Sequence, residues 1–273
     1  MTAAAMSKPH SSARRGGALK LHRGETFGEV STVLDQPEKP AITPIADYGT
    51  ALAIDNSKLG VAALFPRSAS KGGARNRADR ESHTLTVAQI ARLKAAERHS
   101  RQIGLPFTRM ITIHWEAAGI PLGGMAAATG RFTDLLAKAL ARHGSPVAWL
   151  WVHENGDGKG GHCHLLAHVP PALVRVVTGL QRGWLRRISG NRYRARVIHS
   201  RPIGGKLGLE SGNRELHAIN LELAFAYILK GAEPKAASRF GLERLEPGGR
   251  IIGKRCGASQ NIGWKAQKAW QAE

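Results

Sequence analysis

Residues 154–161 read Glu-Asn-Gly-Asp-Gly-Lys-Gly-Gly and lie between two strand-like runs, Val147–His153 and His162–Val169. Glycine supplies the backbone conformations that a tight strand-to-strand loop needs, so the three pieces are expected to form one antiparallel hairpin. Side chains alternate across a strand, which puts His162 and His164 on one face and Cys163 on the other. The two imidazoles, about 7 Å apart at the backbone, can converge on one ion. The thiol cannot join them, which argues against a three-ligand zinc cluster made from His-Cys-His. Glu154 closes the preceding strand and adds a carboxylate across the hairpin. Asp157, in the loop itself, is a weaker substitute. Two histidines and one carboxylate suit Mg²⁺ or Mn²⁺ acting as a Lewis acid on a phosphate oxygen. His153 faces away from Glu154, and His168 lies four residues beyond His164. Both read as structural or DNA-contacting residues.

The rest of the chain supplies a frame for that hairpin. Val87, Ile90, Leu93 and Ala96 recur at helical spacing behind a capping Thr86. Phe107–Trp115 is β-branched and aromatic and predicts a strand. Met125–His143 predicts a helix, with Phe132, Leu135, Leu136 and Leu140 on one face. After the hairpin, Pro170 and Pro171 open a helix to about Ile188. Tyr193–Arg201 alternates as a fourth strand, and Leu216–Lys230 is helical up to Gly231. The order β-α-β-β-α-β-α is that of an α+β, ferredoxin-like (split βαβ) fold: an antiparallel sheet with helices on one face, the other face left free for a site. The expected division is a largely flexible basic extension over 1–85, a folded domain over 86–235, and a basic tail over 236–273.

A formal net charge of +20 over 273 residues favours a polyanionic partner, because neutralising phosphates releases condensed counterions. Nucleic acid, DNA above all, is the first expectation and an anionic membrane the competitor. No apolar run reaches the roughly 20 residues that span a bilayer, and no membrane partner is expected. Two cysteines, Cys163 and Cys256, are too few for a disulfide scaffold and fit a cytoplasmic protein. Arg175, Arg182, Arg186, Arg187, Arg192, Arg194, Arg196 and Arg201 form a run read as phosphate-contacting. Trp184 among them would either stack on a base or pack against the sheet. Of the three tyrosines, Tyr48, Tyr193 and Tyr227, Tyr227 shares a helix face with Lys230, three residues on. A phenol has a pKa near 10 and needs positive charge beside it to attack at neutral pH. An apolar face shared with Leu223 and Ala224 is the plain alternative for Tyr227.

A strand bearing His162-Cys163-His164-Leu165-Leu166, followed by a helix bearing Ala226-Tyr227-Ile228-Leu229-Lys230, resembles the HUH endonucleases, most closely the replication initiators of rolling-circle plasmids. The likeness spans roughly residues 105–235, with Phe107–Trp115 similar to the family's opening strand. Cys163 stands where the family has a bulkier hydrophobe, and a single tyrosine stands in the motif. The resemblance implies that Tyr227 attacks a phosphodiester of single-stranded or hairpin origin DNA, leaving a 5′-phosphotyrosine and a free 3′-OH primer. His162, His164 and, by position, Glu154 would hold the metal, and Lys230 would offset charge on the phosphate or phenolate. A host helicase is a further expected partner. A plasmid mobilisation relaxase, a single-strand transposase, a non-catalytic nucleic-acid-binding protein and a ribosome-associated basic protein are the competing readings.

Overall fold

The computed structural model describes residues 79–156, 158–205 and 212–272. Asp157, Tyr48 and nearly all of the expected N-terminal extension lie outside the described residues. The elements in chain order are β1 (Glu81–Ser82), α1 (Val87–Gln102), β2 (Arg109–His114), α2 (Met125–Ala141), β3 (Trp149–Gly156), β4 (Gly160–Ala167), α3 (Val174–Ser189), β5 (Ile198–Pro202), α4 (Arg214–Ile228), α5 (Pro234–Phe240), β6 (Ile251–Ile252), β7 (Cys256–Ala258) and α6 (Trp264–Trp270). Thr86 caps α1 with a full capping box to Gln89, which satisfies the first free amides of that helix.

β3 and β4 form the expected hairpin, with Glu154 opposite His162 and Val152 opposite His164. β4 also pairs with β2, which sets His114 beside His162 and Thr112 beside His164. The five-stranded antiparallel sheet runs β5-β2-β4-β3-β7, so the molecule is α+β. One face carries Ile111, Ile113, Cys163 and Leu165 and is covered by α2 and α3 through Phe132, Leu136, Val177, Trp184 and Leu185. Trp184 is thus a core residue, edge-on to Phe132 at 5.4 Å.

The second face differs from the expectation of helices on one side only. Leu150, Val152 and Leu166 on that face are buried under Ile90 and Leu93 of α1 and Leu221, Phe225 and Ile228 of α4. Both central strands are apolar on both faces, and an apolar face of a sheet must be covered. Beyond Val152 and Leu166, towards the hairpin end, the same face carries Glu154, His162 and His164 in place of apolar residues.

Three further differences bear on the site. The fourth strand begins at Ile198 rather than Tyr193, because Arg196 takes a left-handed conformation (φ 66°) and Tyr193 is held under the Arg182 guanidinium. The helix bearing Tyr227 ends at Ile228, so Lys230 sits in the turn that follows. Residues expected as a basic tail instead form strands: β7 adds to the β3 edge of the sheet, and β6 pairs with β1 in a separate two-stranded sheet. Arg255, almost wholly buried, fixes this segment by donating to Ser82, the carbonyls of Gly248 and Gly249, and the carbonyl of His153. Among the described residues no helix is long and apolar enough to cross a membrane.

Candidate active site

Glu154, His162 and His164 are all buried at the hairpin end of the second face, and their ligand atoms lie within 4.8 Å of one another. His162 Nε2 is 3.3 Å and His164 Nε2 is 3.4 Å from Glu154 Oε2. The far side of each ring is anchored. His162 Nδ1 donates to the Gly160 carbonyl at 2.8 Å, and His164 Nδ1 meets Thr112 Oγ1 at 3.0 Å. The Gly160 contact depends on its residue type, since φ is 63° and a Cβ would lie 2.3 Å from Glu116 Oε2.

These anchors decide what the cluster can hold. A carbonyl only accepts, so His162 Nδ1 carries a proton and Nε2 is the atom turned toward the carboxylate. Lys230 pairs with Glu154 Oε2, yet Glu154 Oε1 and His164 Nε2 stay buried without a partner, and the three ligand atoms lie close enough together to hold one metal ion. Burial pushes the Glu154 carboxyl up, but the His162 and His164 rings and the Lys230 ammonium outweigh it and hold the group below its usual range. Burial, opposed by Glu154, keeps His164 below the usual imidazole value and so in the neutral, ligating form. His114 packs beside the cluster, its ring 5.5 Å from that of His162, and is also depressed, first by burial and then by the neighbouring histidines.

Tyr227 reaches this cluster from the last turn of α4. Its ring stands edge-on to His164 at 5.2 Å and is half-buried, while Leu223, one turn back, is 63% exposed. Of the apolar alternative, Ala224 and Tyr227 do pack against the apolar core of the second face, whereas Leu223 points to solvent. Lys230 is 3% exposed and its ammonium is ion-paired with Glu154, 4.5 Å from the Tyr227 ring centroid and 3.8 Å from Glu246. It is turned into the cluster, between Glu154 and the Tyr227 ring.

The exposed cation at the tyrosine is Arg244, whose guanidinium lies 5.2 Å from the Tyr227 ring centroid and is paired with Glu246. Sequence reasoning missed Arg244 and Glu246 because they fall in an irregular segment with no periodicity. It also missed Thr112, although the alternation Thr112-Ile113-His114 puts Thr112 and His114 on one strand face. Burial first, then Glu154 and Glu246, raise the Tyr227 phenol above its usual value, and Arg244 opposes them.

The remaining predicted residues lie elsewhere. Arg175, Arg182, Arg186, Arg187, Arg192, Arg194 and Arg196 are all exposed, the first four on α3. Because α3 covers the other face of the sheet, those four cannot touch a phosphate seated at Glu154. His153 is fully buried in a polar chain: it donates from Nδ1 to the Lys254 carbonyl at 2.9 Å and accepts at Nε2 from Thr129, which accepts from Trp115 Nε1. His168 is tied to the Pro106 carbonyl at 2.7 Å. Both histidines are structural.

Fold and site together define an α+β domain with a buried two-histidine, one-carboxylate cluster and a tyrosine at its mouth. No protein family matches the chain, and no curated protein matches it. Among solved structures it is similar to the N-terminal nuclease domain of minute virus of mice non-structural protein 1. That domain is described as having a unique Zn²⁺ coordination in its active-site pocket and a novel mode of DNA recognition at the origin of replication. The two share 10% identity over 49% of this chain and 69% of that chain, with a TM-score of 0.25.

Proposed function

We propose that this chain is an HUH-type endonuclease that cuts one DNA strand through Tyr227, and that it initiates rolling-circle replication of a plasmid. The observation that carries the reading is the Tyr227 ring against His164, at the open end of a cluster built for a cation. Mg²⁺ or Mn²⁺ on Glu154, His162 and His164 would draw negative charge from a non-bridging phosphate oxygen. Tyr227 Oη forms the new bond to phosphorus as the P–O3′ bond breaks; the phenol loses its proton and the departing 3′ oxygen gains one. The products are a 5′-phosphotyrosine and a 3′-OH able to prime synthesis. Arg244 would stabilise the phenolate and the phosphate, being the exposed cation beside the phenol. Lys230 is a positioning residue that holds Glu154. The substrate is a single-stranded or hairpin origin, with a host helicase opening the adjacent duplex.

Covalent capture tests this. The protein is incubated with labelled single-stranded or hairpin DNA and Mn²⁺, then denatured and run on a gel. A labelled adduct is expected with the wild type and none with Tyr227→Phe, which retains DNA binding. Tight binding with no adduct on any such substrate overturns the proposal.

A further inference from the structure

From residue 158 to residue 209 the chain contains no Asp or Glu, yet it carries eight arginines. We propose that the outer face of α3, with the Asn191–Arg196 segment after it, binds the phosphate backbone of duplex DNA while the Tyr227 face holds a single strand. The choice of DNA rests on the nicking reading; the binding surface itself does not.

At 100° per residue, Arg175, Gly179, Gly183, Arg186 and Gly190 fall on the outermost stripe of α3, opposite the buried Val177, Gln181, Trp184, Leu185 and Ile188. Arg182 and Arg187 flank that stripe. At its end an open cleft of about 560 Å³ is lined by Gly183, Arg186, Arg187, Gly190, Asn191 and Arg192. Five guanidinium groups on one ridge with no interspersed carboxylate in the sequence raise the local positive potential, which a polyanion complements. A Cβ on Gly179 or Gly183 would meet nothing within 4 Å, so packing within the chain does not explain two glycines that weaken the helix. Between arginines they leave the floor low enough for a phosphate chain to approach.

The chemistry of the face selects duplex over other anions. Single strands are gripped by exposed aromatic rings on which bases stack. Here Trp184 is buried and Tyr193 lies under Arg182. A membrane-surface helix turns its apolar face to lipid, whereas that of α3 is turned to the sheet. A second copy of the chain would bring like charge against like. Since α3 and the Glu154 cluster lie on opposite faces of one sheet, both can be occupied at once.

The test uses the full chain without metal, a blunt DNA duplex of about 20 base pairs, and anisotropy at several salt concentrations. Arg175→Glu/Arg186→Glu/Arg187→Glu is expected to weaken duplex binding at least tenfold near 0.15 M salt. Its log-log salt slope should become shallower by about 0.9 for each phosphate that is no longer neutralised. Gly183→Glu, placed where a side chain has room, is expected to weaken binding without removing any arginine. Neither variant should change adduct formation on a short single strand; a reading without nicking would lose the adduct and keep the duplex effect. Wild-type duplex affinity in both variants overturns the proposal. So does tighter binding of an RNA duplex or phosphatidylserine vesicles than of the DNA duplex, or a wild-type dimer that the triple variant loses.

Discussion

Both histidines turn Nε2 toward Glu154 because the far nitrogen of each ring is anchored, His162 on the Gly160 carbonyl and His164 on Thr112. Thr112 holds His164 by Nδ1, so Thr112→Val is expected to weaken Mn²⁺ binding about ten- to a hundredfold by calorimetry without unfolding the chain. Equal affinity in wild type and variant would mean that Thr112 does not orient a ligand. Arg244→Ala should slow adduct formation on the order of tenfold to a hundredfold, as for loss of one charge-stabilising group. Its melting temperature should be unchanged, because the side chain is 62% exposed. His153 governs stability in acid. Burial pushes its pKa down to about 3 from 6.5, so between those values the unfolded chain binds a proton that the folded chain refuses. Its contribution is complete above about pH 6.5 and is lost as the pH falls toward 3. Thermal melts from pH 7.5 to 4.5 should show the loss, with a shallower slope in His153→Gln.

At the scale of elements, the hairpin and the shared face of Glu154, His162 and His164 were legible because strand alternation is strict and the loop composition unambiguous. The cover on the second face was not. The continuous apolar runs Trp149–Val152 and Leu165–Ala167 signal strands buried on both sides, whereas the split βαβ order by itself implies a single buried face. Nor were β6 and β7 legible: two and three residues long, they exist because neighbours complete their hydrogen bonds and Arg255 clamps the turn between them. Arg255→Met should cost about 3 kcal/mol in a denaturant melt, since it strands several buried carbonyls. Gly249 has φ 68°, and a Cβ there would lie 1.8 Å from the Asn155 carbonyl oxygen. Gly249→Ala should therefore destabilise by about 2 kcal/mol or more; a neutral result would mean the loop can leave β3 without loss.

For the whole molecule, two opposed sheet faces differ in character: one buries the Glu154, His162 and His164 cluster, and the helix on the other carries exposed arginines to solvent. Removing residues 242–272 would strip β7 from the β3 edge and take Arg244 and Arg255 with it. Such a chain is expected to aggregate, since it bares an unpaired apolar strand; a soluble fragment with native circular dichroism would show the sheet to be complete without β7. The pairing of Glu81–Ser82 with Ile251–Ile252 also sets the order in which the fold can close during synthesis. Arg244 leaves the ribosome about 80 residues after His164, and the clamp on β1 later still. A nascent chain thus displays the histidines long before the guanidinium that completes the tyrosine's surroundings, and on the proposed nicking reading it stays inactive until translation has passed that point.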